Sequence, residues 1–207
     1  WADLERALGH LRKSTNKTLS HPAAPYFVIR DPVQQFLLAT GRTSFRDLLL
    51  PDLEFLYLDI ETDCSEGHEF SNPDRAEDRI LAIAMADGRG WELVLDGREL
   101  DEKELLKKFV ETVRKRDPDI VAGHNVFRFD LPYLATRARR HKVPLKLGRD
   151  AQLPDVRSSR FTAAERAVAY SRFHLHGRHV VDTYLLALAY DVSHRAMEGH
   201  GLKSVAR

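Results

Sequence analysis

Apolar and polar positions alternate along the chain in two different rhythms, and the change falls near Leu53. Before it, Trp1, Leu4, Leu8 and Leu11 recur at helical spacing, so the first residues, to about Lys13, read as a short amphipathic helix. Pro22 and Pro25 interrupt the pattern. Asp31-Pro32 followed by VQQFLLAT and Gly41 then has the make-up of a capped helix, with Asp before its start, Pro in its first turn and Gly past its end. Residues 1–52 form an N-terminal extension on this reading, a possible docking piece, and 53–207 the main domain. From Leu53 to Glu61 (LEFLYLDIE) the chain is apolar at odd and even positions alike, as expected of a central strand covered on both sides. Residues 80–86 and 91–95 read as two more strands joined through Asp87-Gly88. Leu105, Phe109, Val110 and Val113 mark one side of a helix over 101–115. A short buried strand follows at 120–122, a loop over 123–129, a helix over 131–140, a strand at 179–181 and a helix over 183–190. Three early strands followed by helix–strand alternation imply an α/β fold, a mixed sheet with helices on its faces.

Composition narrows the picture. With 207 residues, 43% of them apolar and 30% charged, the chain can bury a sizeable core. No apolar run approaches the roughly 20 residues that span a bilayer, so no membrane role is expected. One cysteine, Cys64, excludes an intramolecular disulfide and a Cys-rich zinc cage, and a reducing, cytoplasmic setting is the expectation. The net charge of +1 says nothing about a polyanionic partner, but its distribution does. Arg137, Arg139, Arg140, Lys142, Lys146 and Arg149 fall in one stretch without an acid, which reads either as a solvated helix face or as a patch that tracks phosphates. Trp at the front, and SVAR at the back without a helix-ending signal, suggest a piece of something longer.

Candidate chemistry concentrates in two places. Asp59 and Glu61, two apart at the end of the most apolar strand, share a face roughly 6–7 Å apart at the backbone. Two carboxylates converging in an apolar sheet repel each other unless a cation intervenes, and oxygen ligands favour a hard ion such as Mg²⁺ or Mn²⁺. The competing reading is that the strand simply ends there, with Glu61 in solvent. The second place is GHNVFRFDLPYL, from Gly123 to Leu134: a strand, a polar turn and a helix opening at Asp130. Taken alone, Asp130 and Asn125 read as a helix cap and a turn residue. Asp182, between a strand and the helix DTYLLALAY, also reads as a cap, or as an acid reaching the same site. Arg178 beside it binds a phosphate or pairs with an acid. His174, His176 and His179 lack zinc-site spacing, and no Walker loop, G-x-G-x-x-G or G-x-S-x-G occurs.

D-x-E (Asp59-Ile60-Glu61, followed by Thr62) and then N-x-x-x-F-D (Asn125 to Asp130), in that order, resemble the first two motifs of the DEDD-type (DnaQ-like) 3′-5′ exonucleases. The wording is closest to the exonuclease domain of family B DNA polymerases and its stand-alone relatives. GRHVVDTYLLALAYD and GLKSVAR also look like segments that follow in such domains. The resemblance runs from about Leu53 to the C-terminus. It implies an RNase H-like mixed five-stranded sheet flanked by helices. It also implies two Mg²⁺ or Mn²⁺ ions held by Asp59, Glu61 and Asp130, and hydrolysis of terminal phosphodiesters of single-stranded or frayed DNA in proofreading or repair. By the same resemblance Ile60, Thr62, Asn125 and Phe129 hold the 3′-terminal nucleotide, Arg137 and Arg140 hold phosphates, and a polymerase or another replication or repair protein is the partner.

One departure stands against this. The family's third motif, Y-x-x-x-D or H-x-x-x-x-D, has no match at any Tyr or His of the chain. In relatives it follows the L-K-x-V-A segment, so the expectation is that the fourth carboxylate lies beyond Arg207. The alternative is a catalytically dead exonuclease fold that serves as a nucleic-acid binding or interaction module.

Overall fold

A computed structural model describes residues 2–19, 21–29, 31–43, 47–195 and 197–206; Trp1 and Arg207 of the sequence reading lie outside them. The chain divides into two compact units at Leu49/Leu50. The smaller holds α1 (Ala2–Thr15) and α2 (Pro32–Thr40). The α2 caps are those the sequence names: Asp31 accepts from the N–H groups of Val33 and Gln34, and Gly41 takes the left-handed conformation with φ 66°.

The larger unit is an α/β domain. Its mixed five-stranded sheet runs β3-β2-β1-β4-β7, built from β1 (Phe55–Thr62), β2 (Ile80–Ala86), β3 (Glu92–Asp96), β4 (Ile120–Gly123) and β7 (His179–Asp182). β1 pairs antiparallel with β2 and parallel with β4, which places its DIET end at the centre of the sheet. Helices α3 (Glu102–Arg116), α4 (Asp130–Arg140), α5 (Thr183–His194) and the short α6 (Leu202–Val205) flank it. Leu56, Leu58 and Ile60 of β1 join one core with Leu105, Phe109 and Val113 of α3 and Leu131 and Leu134 of α4.

Two features depart from the sequence reading. β1 is central but covered on one face only: Leu56, Leu58 and Ile60 are buried, while Tyr57, Asp59 and Glu61 are exposed. The flanking residues on the uncovered side are small or exposed, Ala84 opposite Asp59 and Val94 opposite Ala84. A strand of continuous apolar residues therefore has one dry face and one open face. The second departure is an antiparallel hairpin of β5 (Asp155–Ala163) and β6 (Arg166–His174), a separate two-stranded sheet that the sequence reading leaves without structure. No described helix is long and apolar enough to cross a membrane.

Candidate active site

β1 and the β4–α4 loop meet at Asp130. β4 ends at Gly123, where an added Cβ would lie 2.8 Å from the Leu58 carbonyl oxygen, so only glycine lets the loop leave so close to β1. Asn125 follows in the left-handed region, φ 65°, which its short amide tolerates. Its carbonyl accepts from Arg128 and Phe129 N–H, and the turn delivers Asp130 to the first position of α4. Asp130 does not cap its helix; the N-cap is Phe129, without a side-chain bond. The Asp130 carboxylate instead reaches across to β1, where Oδ1 accepts the Ile60 N–H at 3.1 Å.

Electrostatics single this group out. Asp130 is 1% exposed. Burial first, and then the negative charge of Asp59, push its carboxyl up to about 7 from an ordinary 3.8, and Asp182 adds to the effect. Asp59 and Glu61, on the open face of β1, are solvent-accessible. This is the situation a hard cation relieves: oxygen donors only, one of them desolvated and facing a like charge. Asp59, Glu61 and Asp130 are therefore, by the chemistry of their oxygen donors, the residues that could hold a divalent ion. Among the described residues, no group of three His, Cys, Asp or Glu stands close enough to hold a metal as arranged.

Several side chains assigned to nucleotide or phosphate lie elsewhere. Arg137 is 2% exposed and points into the domain. Its Nε and Nη2 donate to Glu102 at 2.7 and 2.5 Å, and its other donors reach the carbonyls of Pro73, Arg75 and Ala76. No donor is left for a phosphate; it pins the 63–79 loop to α3 and α4. Arg178 is buried too, with Nη1 on Asp117 and the Pro118 carbonyl and Nε on the Leu147 carbonyl, and so it pairs with an acid. The Ile60 side chain is 4% exposed within the core and its N–H goes to Asp130, which leaves neither for a nucleotide. Thr62 donates its hydroxyl to Ser71 at 2.9 Å. Arg140 remains exposed and without an ion pair among the described residues.

Asp182 caps α5 through the Tyr184 N–H, as the sequence suggests, and does more. It is 4% exposed, and it also accepts from Asn125 N–H at 2.8 Å and Phe127 N–H at 3.1 Å. One carboxylate thus fixes both the helix start and the loop that carries Asn125 and Asp130. The Asn125 Oδ1 is buried without a partner. Phe129 is half-buried, its ring 5.5 Å from that of Tyr133. Phe127 is core, against Tyr170.

The sequence reading passes over Asp78, the organiser of the loop that follows Thr62. It is fully buried and accepts from Ser65 N–H, Asn72 N–H and Arg75 Nε. Burial raises its carboxyl, but Arg75 and the N–H donors outweigh this and hold it far below the usual range. The density of Asp, Asn and Pro in SNPDRAEDR is the local signal for such a loop.

Comparison with known proteins points to one kind of relative. The model for the DNA polymerase family B exonuclease domain matches residues 92–194, which include Asn125, Asp130 and Asp182. A DNA polymerase from Pyrococcus glycovorans is 33% identical over 153 residues, covering 68% of this chain and 19% of its own. One from Archaeoglobus fulgidus is 36% identical over 102 residues, covering 49% of this chain and 13% of its own. Among solved structures, the family B DNA polymerase of Pyrobaculum calidifontis superimposes with a TM-score of 0.51 at 30% identity, over 64% of this chain and 15% of that one. The chain thus spans less than a fifth of the length of these polymerases.

Proposed function

As a relative of the exonuclease domain of family B DNA polymerases, the chain is, we propose, a metal-dependent 3′-5′ exonuclease domain that removes terminal nucleotides from single-stranded or frayed DNA. The observation that carries this reading is the buried Asp130 carboxylate, anchored on Ile60 N–H beside Asp59. Asp59, Glu61 and Asp130 are the residues to hold one or two Mg²⁺ or Mn²⁺ ions, which when bound supply Lewis acidity for an attacking water and for the departing 3′-oxygen. Around them the chain supplies orientation. The unpartnered Oδ1 of Asn125 is an acceptor for a donor on the terminal nucleotide. Phe129 offers a half-buried ring on which a base can stack. Arg140, exposed and unpaired among the described residues, is the remaining cation for the backbone of the incoming strand. Asp182 keeps the loop in register by holding two of its N–H groups. Proofreading and repair are both compatible with such a domain.

The test is digestion of a 5′-labelled single-stranded oligonucleotide in Mg²⁺ or Mn²⁺, beside Asp59→Ala. A ladder shortening from the 3′ end, and lost in the variant or with chelator, is expected. Absence of cleavage with binding retained and indifferent to Asp59→Ala would overturn the proposal. It would support a second reading, an exonuclease fold that binds nucleic acid without cutting it. The observation in favour of that reading is that no three ligands converge among the described residues.

A further inference from the structure

A second concave surface lies away from the carboxylates. The last turns of α4, the segment after it and the open end of the β5–β6 hairpin enclose a groove of about 600 Å³. Its walls are aliphatic: Ala135 and Ala138 of α4, Val143 and Leu145 after it, and Leu153 and Val156 opposite. Leu153 is 62% and Val156 48% exposed, so apolar surface faces solvent here although ordinary folding would cover it. The groove also carries charge of one sign. Arg139 and Lys142 stand at its rim, no acidic residue lines it, and Arg140 is the neighbour of Arg139. None of these three cations has an ion pair among the described residues, although all are exposed. Elsewhere in the domain arginines are spent on carboxylates, such as Arg149 on Asp117 and Asp119. Asp155, between the lining residues Pro154 and Val156, is itself paired with Arg157.

We propose that this groove docks an acidic amphipathic segment of a protein partner, its aliphatic side chains seated between α4 and the hairpin and its carboxylates on Arg139 and Lys142. Unpaired cations around an apolar floor ask for a ligand that is both apolar and anionic. Single-stranded nucleic acid meets the charge but not the floor. Bases need aromatic faces to stack on, and the one ring in the lining, Phe173, is 4% exposed. The inference stands apart from the proposed chemistry, since no lining residue of the groove belongs to that site and only the flanking Arg140 is assigned to both.

The experiment selects peptides from a random display library on the full chain, with counter-selection on Leu153→Glu. Leu153 is exposed, so the variant keeps its fold, and an unchanged thermal transition verifies this. Survivors should carry aliphatic residues at helical spacing among an excess of Asp and Glu. Their affinity should fall at least about tenfold on Leu153→Glu and on Arg139→Glu/Lys142→Glu, and weaken with salt. Survivors that are neutral or basic, affinity indifferent to the charge reversal, or no survivors at all would overturn the proposal. So would displacement of survivors by a poly-dT oligonucleotide whose own binding is lost on Leu153→Glu, which would make the groove a nucleic-acid site.

Discussion

Replacing Asp130 by Asn should make the metal-free protein more stable at alkaline pH and flatten its stability profile. The Asp130 carboxyl is held up to about 7 in the fold against an ordinary 3.8. Between those two pH values the unfolded chain has released this proton and the folded chain has kept it. Stability therefore falls as pH rises through that window, and the full deficit is present above about 7. A difference of about three units corresponds to about 4 kcal/mol. Asn removes the ionisation while its carbonyl oxygen keeps the Ile60 N–H bond. Its amide N–H₂ in turn needs an acceptor in a buried place, a cost of about 1–3 kcal/mol. The net expectation is a gain of about 1–3 kcal/mol at pH 8 that shrinks to about zero at pH 5, where only about 1.6 kcal/mol of the deficit has built up. Urea denaturation of both proteins at the two pH values in EDTA measures this. Repeating it in Mn²⁺ should close the gap at pH 8, because an ion that binds only the folded native protein stabilises it and leaves the variant little changed. Parallel pH profiles for the two proteins in EDTA would refute the reasoning, as would an Asp130 carboxyl carbon that titrates near pH 4 by NMR.

Three other residues give independent tests. Arg137→Met should cost about 2–4 kcal/mol, because it takes the guanidinium from the buried Glu102 carboxylate and leaves it only Ile80 N–H and His141. Arg140→Ala, on the exposed end of the same helix, should leave denaturation midpoints within about 0.5 kcal/mol of the native value while weakening oligonucleotide binding measured by fluorescence anisotropy. Asp182→Ala removes a helix cap and the acceptor of two loop N–H groups. It should destabilise by about 2–4 kcal/mol, with amide exchange accelerated over residues 123–129 as well as at the start of α5.

Much of the architecture was legible from the chain because it is set by near neighbours. Strand β2 and the starts of α2, α3 and α5 follow from apolar spacing and from Asp31, Asp101 and Asp182, whose carboxylates bond N–H groups two or three residues on. The order of D-x-E and N-x-x-x-F-D was enough to point to the family B exonuclease domain, as the relatives agree. The β5–β6 hairpin escaped because its strands are mostly polar and exposed and its tip, around Ala164 with φ 51°, lacks the Asn-Gly or Asp-Gly pair that marks such turns.

What the sequence by itself determined was the order of the elements other than β5 and β6, the caps of α2 and α5, and the kinship. What only the tertiary structure decided was where each charge ends. Arg137 and Arg140 stand three apart in one basic run, yet Arg137 is buried on Glu102, 35 positions away, and Arg140 is in solvent. Likewise the apolar run of β1 was plain in sequence, but that one face stays open beside Asp59 depends on which helices come to lie over the sheet. Local patterns follow from bonds between residues a turn apart. The partner of a buried charge, and the protonation of Asp130 that follows from burial and Asp59, exist only once distant segments share the same low-dielectric space.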